Sequence, residues 1–407
     1  MRKHLMKAAV GTSIALSVTA ALVGSGVTGA TAGTKQDAMR EVVKYTLDFG
    51  APGFMARIDD GRRVTVTAAG LADRDTGRRI NGHEQFEAGS NTKTFVAVLA
   101  LQLVDQRKLV LDAPVERYLP GVVPNGANIT VRMLLQHTSG LFNYTGDEEF
   151  NSKVFDPDWV PSDTELIGYA FQNAPDFAPG TSWKYSNTNY ILAGMIVEKL
   201  ARADLADLIQ QRIAKPLGLT RTYLADPRAT STGRGYAHGY TIDFSGPQRV
   251  YYDTTGWSLA WGGAAGAIIS DQRDLSRFFS ALLSGKLISP RQLAEMKTTV
   301  PVPAEFQIVG EYGLGLMRKD TPCGPVWGHG GDTNGHHSTA VTTADGRRTA
   351  TSDTTMSPTG IDPRRYIQLM LAAEDAISCQ MLGKPVPAEV LGKLRGTTPL
   401  PPAEQAS

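Results

Sequence analysis

Residues 89–104 read GSNTKTFVAVLALQLV. From Thr92 to Val104 nearly every residue is apolar or small, so a helix buried on most of its faces is expected there. At its start Ser90 and Lys93 stand three apart, which places them on one face about a turn from each other. Two readings fit that spacing. In one, Ser90 is a nucleophile at a helix N-terminus, where unpaired N–H groups favour negative charge, and the Lys93 amine takes its proton. In the other, Ser90 caps the helix and Lys93 is solvated.

Working outward, DAMREVVKYTLDFG (37–50) predicts a helix, and GFMARID (53–59) with RRVTVTAAG (62–70) predicts a hairpin turned at Asp60-Gly61. Residues 110 to 300 read as mainly helical with Pro- and Gly-rich connections, and Ser289-Pro290 opens one helix. Strand patterns return in EYGLGLMR (311–318), GPVWGHGG (324–331), HHSTAVTTA (336–344) and RRTATSDTT (347–355), before a closing helix over 362–378. Strands at both ends with helices between imply an α+β fold. One antiparallel sheet is built from both termini (about 35–95 and 300–380), is flanked by helices, and holds an inserted all-helical lobe over about 110–300. The Pro-rich stretch 386–407 reads as a disordered or processed tail.

The chain opens with Arg2, Lys3 and Lys7, an apolar run from Ala8 to Val23, and small residues ending in Ala30-Thr31-Ala32. That is the layout of a secretory signal peptide over 1–32, cut near Ala32, and predicts a secreted domain over 33–385. Thr12, Ser13, Ser17 and Thr19 interrupt the run, which argues against a stable membrane anchor. Losing residues 1–32 takes three positive charges and no negative ones, so a net charge of +1 becomes −2. That balance argues against a nucleic acid partner. Export permits a disulfide between the two cysteines, Cys323 and Cys379.

Two further motifs could carry chemistry. Tyr185-Ser186-Asn187 precedes a helix, and a tyrosine beside a lysine can relay a proton. His329-Gly330-Gly331 ends a strand, where two glycines allow a substrate backbone to approach. His329, Asp332, His336 and His337 would also suit a metal, although one strand and its turn would have to supply every ligand.

Ser-x-x-Lys, Tyr-x-Asn and His-Gly-Gly in this order resemble the motifs of the serine penicillin-recognising hydrolases, the class C β-lactamase-like family. FEAGSNTKTF, LLQHTSGL, YSNTNYILAGMIVEKL and YGLGL extend the resemblance from about Asp37 to Pro385, most closely toward secreted serine DD-carboxypeptidase/transpeptidases, whose disulfide Cys323 and Cys379 also match. The resemblance implies an acyl-enzyme on Ser90, activated by Lys93 and Tyr185, with His329 setting the Tyr185 proton. It implies an oxyanion hole from the backbone N–H groups of Ser90 and Asp332. Asn187, Trp261, Gly330, Gly331, Asp332 and Met317 would meet the substrate. It implies no cofactor and no metal, a monomer, and as partners a D-amino-acid peptide, amide or ester, with a β-lactam as covalent ligand.

The chain departs from that pattern where a substrate carboxylate would bind. Gly330 and Asp332 replace two threonines, and Met317 replaces an arginine. A carboxylate at Asp332 would repel a substrate carboxylate about 4 Å away by roughly 1 to 4 kcal/mol. Arg318 or Lys319 could compensate, with Arg318 expected on the face opposite Met317. His-Gly-Gly is instead a form found in the family's esterases, D-aminopeptidases and D-stereospecific amidases. Three readings follow: a D-alanyl-D-alanine carboxypeptidase/transpeptidase-like hydrolase, a D-amidase or esterase of the same family, and a non-catalytic sensor of β-lactams or cell-wall peptide.

Overall fold

The computed structural model describes residues 35–227, 235–303 and 310–397. The expected signal peptide lies outside them. A nine-stranded sheet forms the spine, its strands drawn from both ends of the chain. Gly53–Asp59 lies beside Thr349–Thr354, antiparallel, with Phe54 opposite Thr354 and Asp59 opposite Thr349. That one pairing joins the two termini, as the α+β reading requires. Val64–Asp73 and Arg78–Arg79 continue the sheet to one edge. His337–Thr342, Gly324–Asp332, Met317–Thr321, Gly310–Tyr312 and Val300–Pro301 continue it to the other. The first hairpin turns where expected, with Gly61 at φ +80° and the Asp60 side chain accepting from the Arg62 and Arg63 N–H groups.

Each face of the sheet is covered by its own core. On one side Val42 and Phe49 of the helix Lys35–Phe49 pack with Leu369, Ala373 and Ile377 of Pro363–Met381. On the other side lies the helix Thr92–Asp105, in which Phe95 to Leu101 are all buried. Its Phe95 ring stacks on Phe278 of the helix Gln272–Leu283 at 3.6 Å between centroids. Cys323 and Cys379 form the disulfide, tying the start of the strand Gly324–Asp332 to the helix Pro363–Met381. No described helix is long and apolar enough to cross a membrane.

Three expectations are corrected. The stretch 311–318 is not one strand: it breaks after Tyr312 and resumes at Met317. A Cβ on Gly315 would meet the Ala97 Cβ at 2.7 Å and the Lys93 carbonyl at 3.0 Å, so the break tucks the chain against the helix behind Ser90. The middle of the chain is not wholly helical, since Tyr240–Asp243, Val250–Asp253 and Ile268–Asp271 are strands. Nor is 386–397 a disordered tail. Ala388–Arg395 is a helix whose Val390, Leu391 and Leu394 are buried, and Arg395 pairs with Glu41 of the opening helix. Apolar residues at spacings of one and four give that short segment a face to bury despite the surrounding prolines. Residues 398–407 lie outside the described residues.

Candidate active site

Ser90 sits in the turn between the strand Gln85–Gly89 and the helix Thr92–Asp105, and Asn91 rather than Ser90 occupies the cap position. Ser90 is half-buried, while Lys93, one turn on, is completely buried. Lys93 Nζ is 2.9 Å from Ser90 Oγ, 2.7 Å from Asn187 Oδ1 and 2.7 Å from the Ala265 carbonyl oxygen. Burial holds the Lys93 pKa well below that of an ordinary lysine, and the Asp332 charge offsets this only in part. A neutral amine has two hydrogens and one lone pair. Two of the three neighbours, Asn187 Oδ1 and the Ala265 carbonyl, can only accept and so take both hydrogens. The lone pair is left facing the Ser90 hydroxyl. The solvated-lysine reading is thereby excluded.

Tyr185 comes from the segment before the helix Asn187–Ala201. Its ring lies 4.8 Å from Lys93 Nζ. Its hydroxyl is buried without a well-formed hydrogen bond. Burial raises its pKa strongly, and the nearby Ser90 hydroxyl opposes this. Tyr185 is therefore a phenol, not a phenolate, in the resting protein. The Asn187 backbone N–H donates to Asn143 Oδ1 at 3.0 Å, while its side-chain oxygen faces Lys93.

The strand Gly324–Asp332 closes the third side. A Cβ on Gly331 would lie 2.0 Å from the Ala88 carbonyl oxygen and 2.8 Å from Ser90 N, and one on Gly89 would lie 2.7 Å from Asp332 N. Only glycine at both positions permits this approach, which brings the backbone of Gly331 and Asp332 against the turn that carries Ser90.

His329 does not take the partner expected of it. Its Nδ1 faces the Gly330 carbonyl oxygen at 2.6 Å and its Nε2 faces the Tyr312 hydroxyl at 2.9 Å, while the Tyr185 ring is 6.3 Å away. A carbonyl can only accept, so Nδ1 carries the proton and Nε2 accepts from Tyr312. Burial, reinforced by Lys93, pushes the His329 pKa down to about 3, so the ring is neutral.

The Asp332 side chain also lies elsewhere than expected. Gly331 is paired with Ser338, whose hydroxyl donates to the Ala88 carbonyl oxygen at 2.9 Å, so that face meets Ser90. Asp332 is paired with His337, on the other face. There Asp332 Oδ1 is 2.6 Å from His337 Nδ1, and His337 Nε2 is 3.2 Å from Glu374 Oε1. A ring between two carboxylates holds both protons. Burial pulls its pKa down, but Asp332 and Glu374 outweigh it and lift it to about 10. The cation beside Asp332 is thus His337, and neither Arg318 nor Lys319 takes that place. Arg318 pairs with Glu311 and Asp320. Lys319 pairs with Glu374 and Asp375 on the covering helix.

Met317 packs against the cluster of Trp183, Val302 and Tyr312 that also holds Tyr185. Trp261 is half-buried, its ring 6.4 Å from Phe150, on the chain leading to Ala265. Of the four residues weighed as a metal site, Asp332 and His337 bind each other, His329 faces Tyr312, and His336 binds Asp353 at 3.1 Å. Among the described residues no group of three or more His, Cys, Asp and Glu could hold a metal ion. Two residues of this region were not legible as site residues: Tyr312 in YGLGL and His137 in LLQHTSGL. Both stretches were matched to the family, but neither shows its contacts in the sequence.

The Beta-lactamase family profile matches residues 39–367. Among known proteins the chain is similar to a putative penicillin-binding protein, PbpX, of Bacillus subtilis (strain 168). The two are 32% identical over 267 residues, covering 64% of this chain and 62% of that one. The chain spans less than two thirds of the length of the first curated relatives it matches. Among solved structures it is similar to a D-stereospecific amidohydrolase from Streptomyces sp., with 35% identity and a TM-score of 0.76, covering 86% of this chain and 99% of that one. A D-amino acid amidase from Ochrobactrum anthropi SV3 superimposes with a TM-score of 0.74 at 25% identity, covering 86% and 99%. A buried lysine one helical turn from a reachable serine, in a fold and a profile shared over most of the chain, identifies this protein as a member of the beta-lactamase family, the serine penicillin-recognising hydrolases.

Proposed function

We propose that this chain is an exported serine acyl hydrolase that cleaves D-amino-acid amides, esters or internal D-peptide bonds in preference to substrates ending in a free carboxylate. Ser90 Oγ attacks the carbonyl carbon while its proton passes to the neutral Lys93 amine at 2.9 Å. The developing oxyanion is received by the backbone N–H groups of Ser90 and Asp332, a pair whose removal by halves typically costs about 3 to 4 kcal/mol in such sites. The Tyr185 phenol protonates the leaving nitrogen or oxygen and recovers its proton from the Lys93 ammonium. Water then enters, and the same groups return the proton as the acyl-enzyme is hydrolysed. A β-lactam would acylate Ser90 by the same first step.

The observation that carries the specificity is the commitment of the strand cations. Arg318 and Lys319 are held in ion pairs with Glu311, Asp320, Glu374 and Asp375. Met317 stands where the carboxypeptidases carry arginine, and the Asp332 charge reaches Lys93, Tyr185 and His329. A substrate carboxylate therefore meets no arginine at 317 and only strand cations already committed to ion pairs, His337 with Asp332 and Glu374 among them. The similarity to the D-stereospecific amidohydrolase and the D-amino acid amidase supports this reading.

The test is a matched pair: an acylated peptide ending in D-Ala-D-Ala, and the same peptide amidated, each with wild type and Ser90→Ala. Faster cleavage of the amide, lost in Ser90→Ala, is expected. Preference for the free acid would establish the carboxypeptidase reading instead. Acylation by a β-lactam with no turnover of either peptide, or of a simple ester, would establish a sensor.

A further inference from the structure

Tyr185 lies in a short segment outside any helix or strand, yet its hydroxyl has to be set over Ser90. The residue that holds the segment is His137. It ends the helix Val131–Gln136 in the left-handed conformation, at φ +61°, and is fully buried. An ordinary side chain enters that region at a cost, which the surroundings must offset. The consequence is that both its carbonyl and its ring turn toward the tyrosine segment. The Lys184 N–H donates to the His137 carbonyl oxygen at 3.1 Å. The Ser186 N–H donates to His137 Nδ1 at 3.2 Å, and Asn189 Nδ2 lies 3.1 Å from the same nitrogen. The residues on either side of Tyr185 are thus gripped by one histidine. Its ring lies 4.3 Å from the Tyr185 ring, tilted by 36°. Tyr312 and Tyr190 wall it in at 4.7 and 5.3 Å. Because a backbone N–H faces Nδ1, that nitrogen must accept and the proton sits on Nε2.

We propose that His137 is a positioning residue, which sets the Tyr185 hydroxyl against Ser90 by accepting at Nδ1 from the segment's backbone. The proposal rests on the serine-hydrolase reading for its catalytic consequence, while its structural content stands apart. His137→Ala removes the acceptor. His137→Asn keeps one, because Oδ1 occupies the same place along the side chain as Nδ1, and asparagine tolerates the left-handed conformation.

The experiment measures kcat and KM on D-phenylalanine amide or a p-nitrophenyl ester, together with amide hydrogen exchange at Lys184 and Ser186. His137→Ala is expected to lower kcat about 100-fold, the scale of a misplacement near 1 Å, with KM changed by less than about threefold. The Ser186 amide, whose acceptor is the ring, exchanges faster in it, while the Lys184 amide keeps its backbone acceptor, and His137→Asn restores most of kcat and the Ser186 protection. A folded His137→Asn that loses as much as His137→Ala would overturn the proposal, since ring packing alone would then matter. So would wild-type kcat or unaltered Ser186 exchange in His137→Ala. If His137→Ala does not fold, the comparison rests on His137→Asn: a protected Ser186 amide with retained kcat supports the clamp, and lost protection overturns it. If wild type turns over neither substrate, the proposed activity fails, and the exchange data alone judge the clamp.

Discussion

Replacing Gly331 by alanine adds one methyl group where the strand Gly324–Asp332 meets the turn carrying Ser90. The φ of Gly331 is not in the left-handed region, so alanine is conformationally permitted and only space opposes it. Its Cβ would stand 2.0 Å from the Ala88 carbonyl oxygen and 2.8 Å from Ser90 N. Carbon and oxygen settle at about 3.3 Å or more, so the two backbones must part by roughly 1 Å. That separation moves the Asp332 amide away from the Ser90 amide and dismantles the proposed oxyanion site. Loss of one donor predicts a fall in the acylation rate of about 10²- to 10³-fold, with a stability cost of about 1 to 3 kcal/mol for overpacking. The control is Gly330→Ala, whose Cβ would have 3.6 Å to the Ser338 carbonyl oxygen, an ordinary contact. Stopped-flow acylation by a chromogenic β-lactam or an activated ester, with thermal unfolding of each variant, checks both numbers. A folded Gly331→Ala that acylates at the wild-type rate would refute the placement of the oxyanion site. Equal losses in both variants would point to a general disturbance of the strand.

Further predictions concern protons and staples. Because burial lowers the Lys93 pKa, the rise of kcat/KM with pH is expected to be complete below the range of an ordinary lysine; a profile that climbs through the ordinary lysine value of about 10.4 would contradict it. Lys93→Arg, which cannot give up its proton, is expected to lose about 10²- to 10⁴-fold in acylation while remaining folded. His337 is raised to about 10 from an ordinary 6.5, so its stabilisation is complete below 6.5 and is lost as pH rises through 10. His337→Gln should therefore cost about 3 to 5 kcal/mol in denaturant titrations near pH 6, a difference that shrinks toward pH 10. Removing the disulfide by Cys323→Ala with Cys379→Ala opens a separation of 56 residues, which predicts a loss of about 4 kcal/mol, read by calorimetry.

Much of this architecture was legible along the chain, because it follows from local rules. The apolar run after Ser90, the Asp60-Gly61 turn and the late alternating strands are set by helix and strand periodicity, which neighbouring residues carry. The Ser90–Lys93 contact was legible too, since residues three apart across the turn that opens a helix are neighbours. The disulfide needed only two cysteines and the export that the first 32 residues lead one to expect. The helix Ala388–Arg395 was hidden because its proline-rich flanks outweighed a short apolar face that matters only once Glu41 and the opening helix are beside it.

What the tertiary structure alone decided is which partner each polar side chain takes. His329 is two strands from Tyr312 in the sheet, and their bond depends on the break at Gly313–Leu316 bringing the tyrosine round. Asp332 faces His337 rather than the cleft because register and pleat put them on one side of the sheet, a choice that a one-residue slip would reverse. His137 reaches across 49 residues to Ser186 only because the chain there turns left-handed. Periodicity assigns residues to faces. Contacts between elements far apart in sequence, and the protonation states those contacts impose, arise only when the faces are packed together.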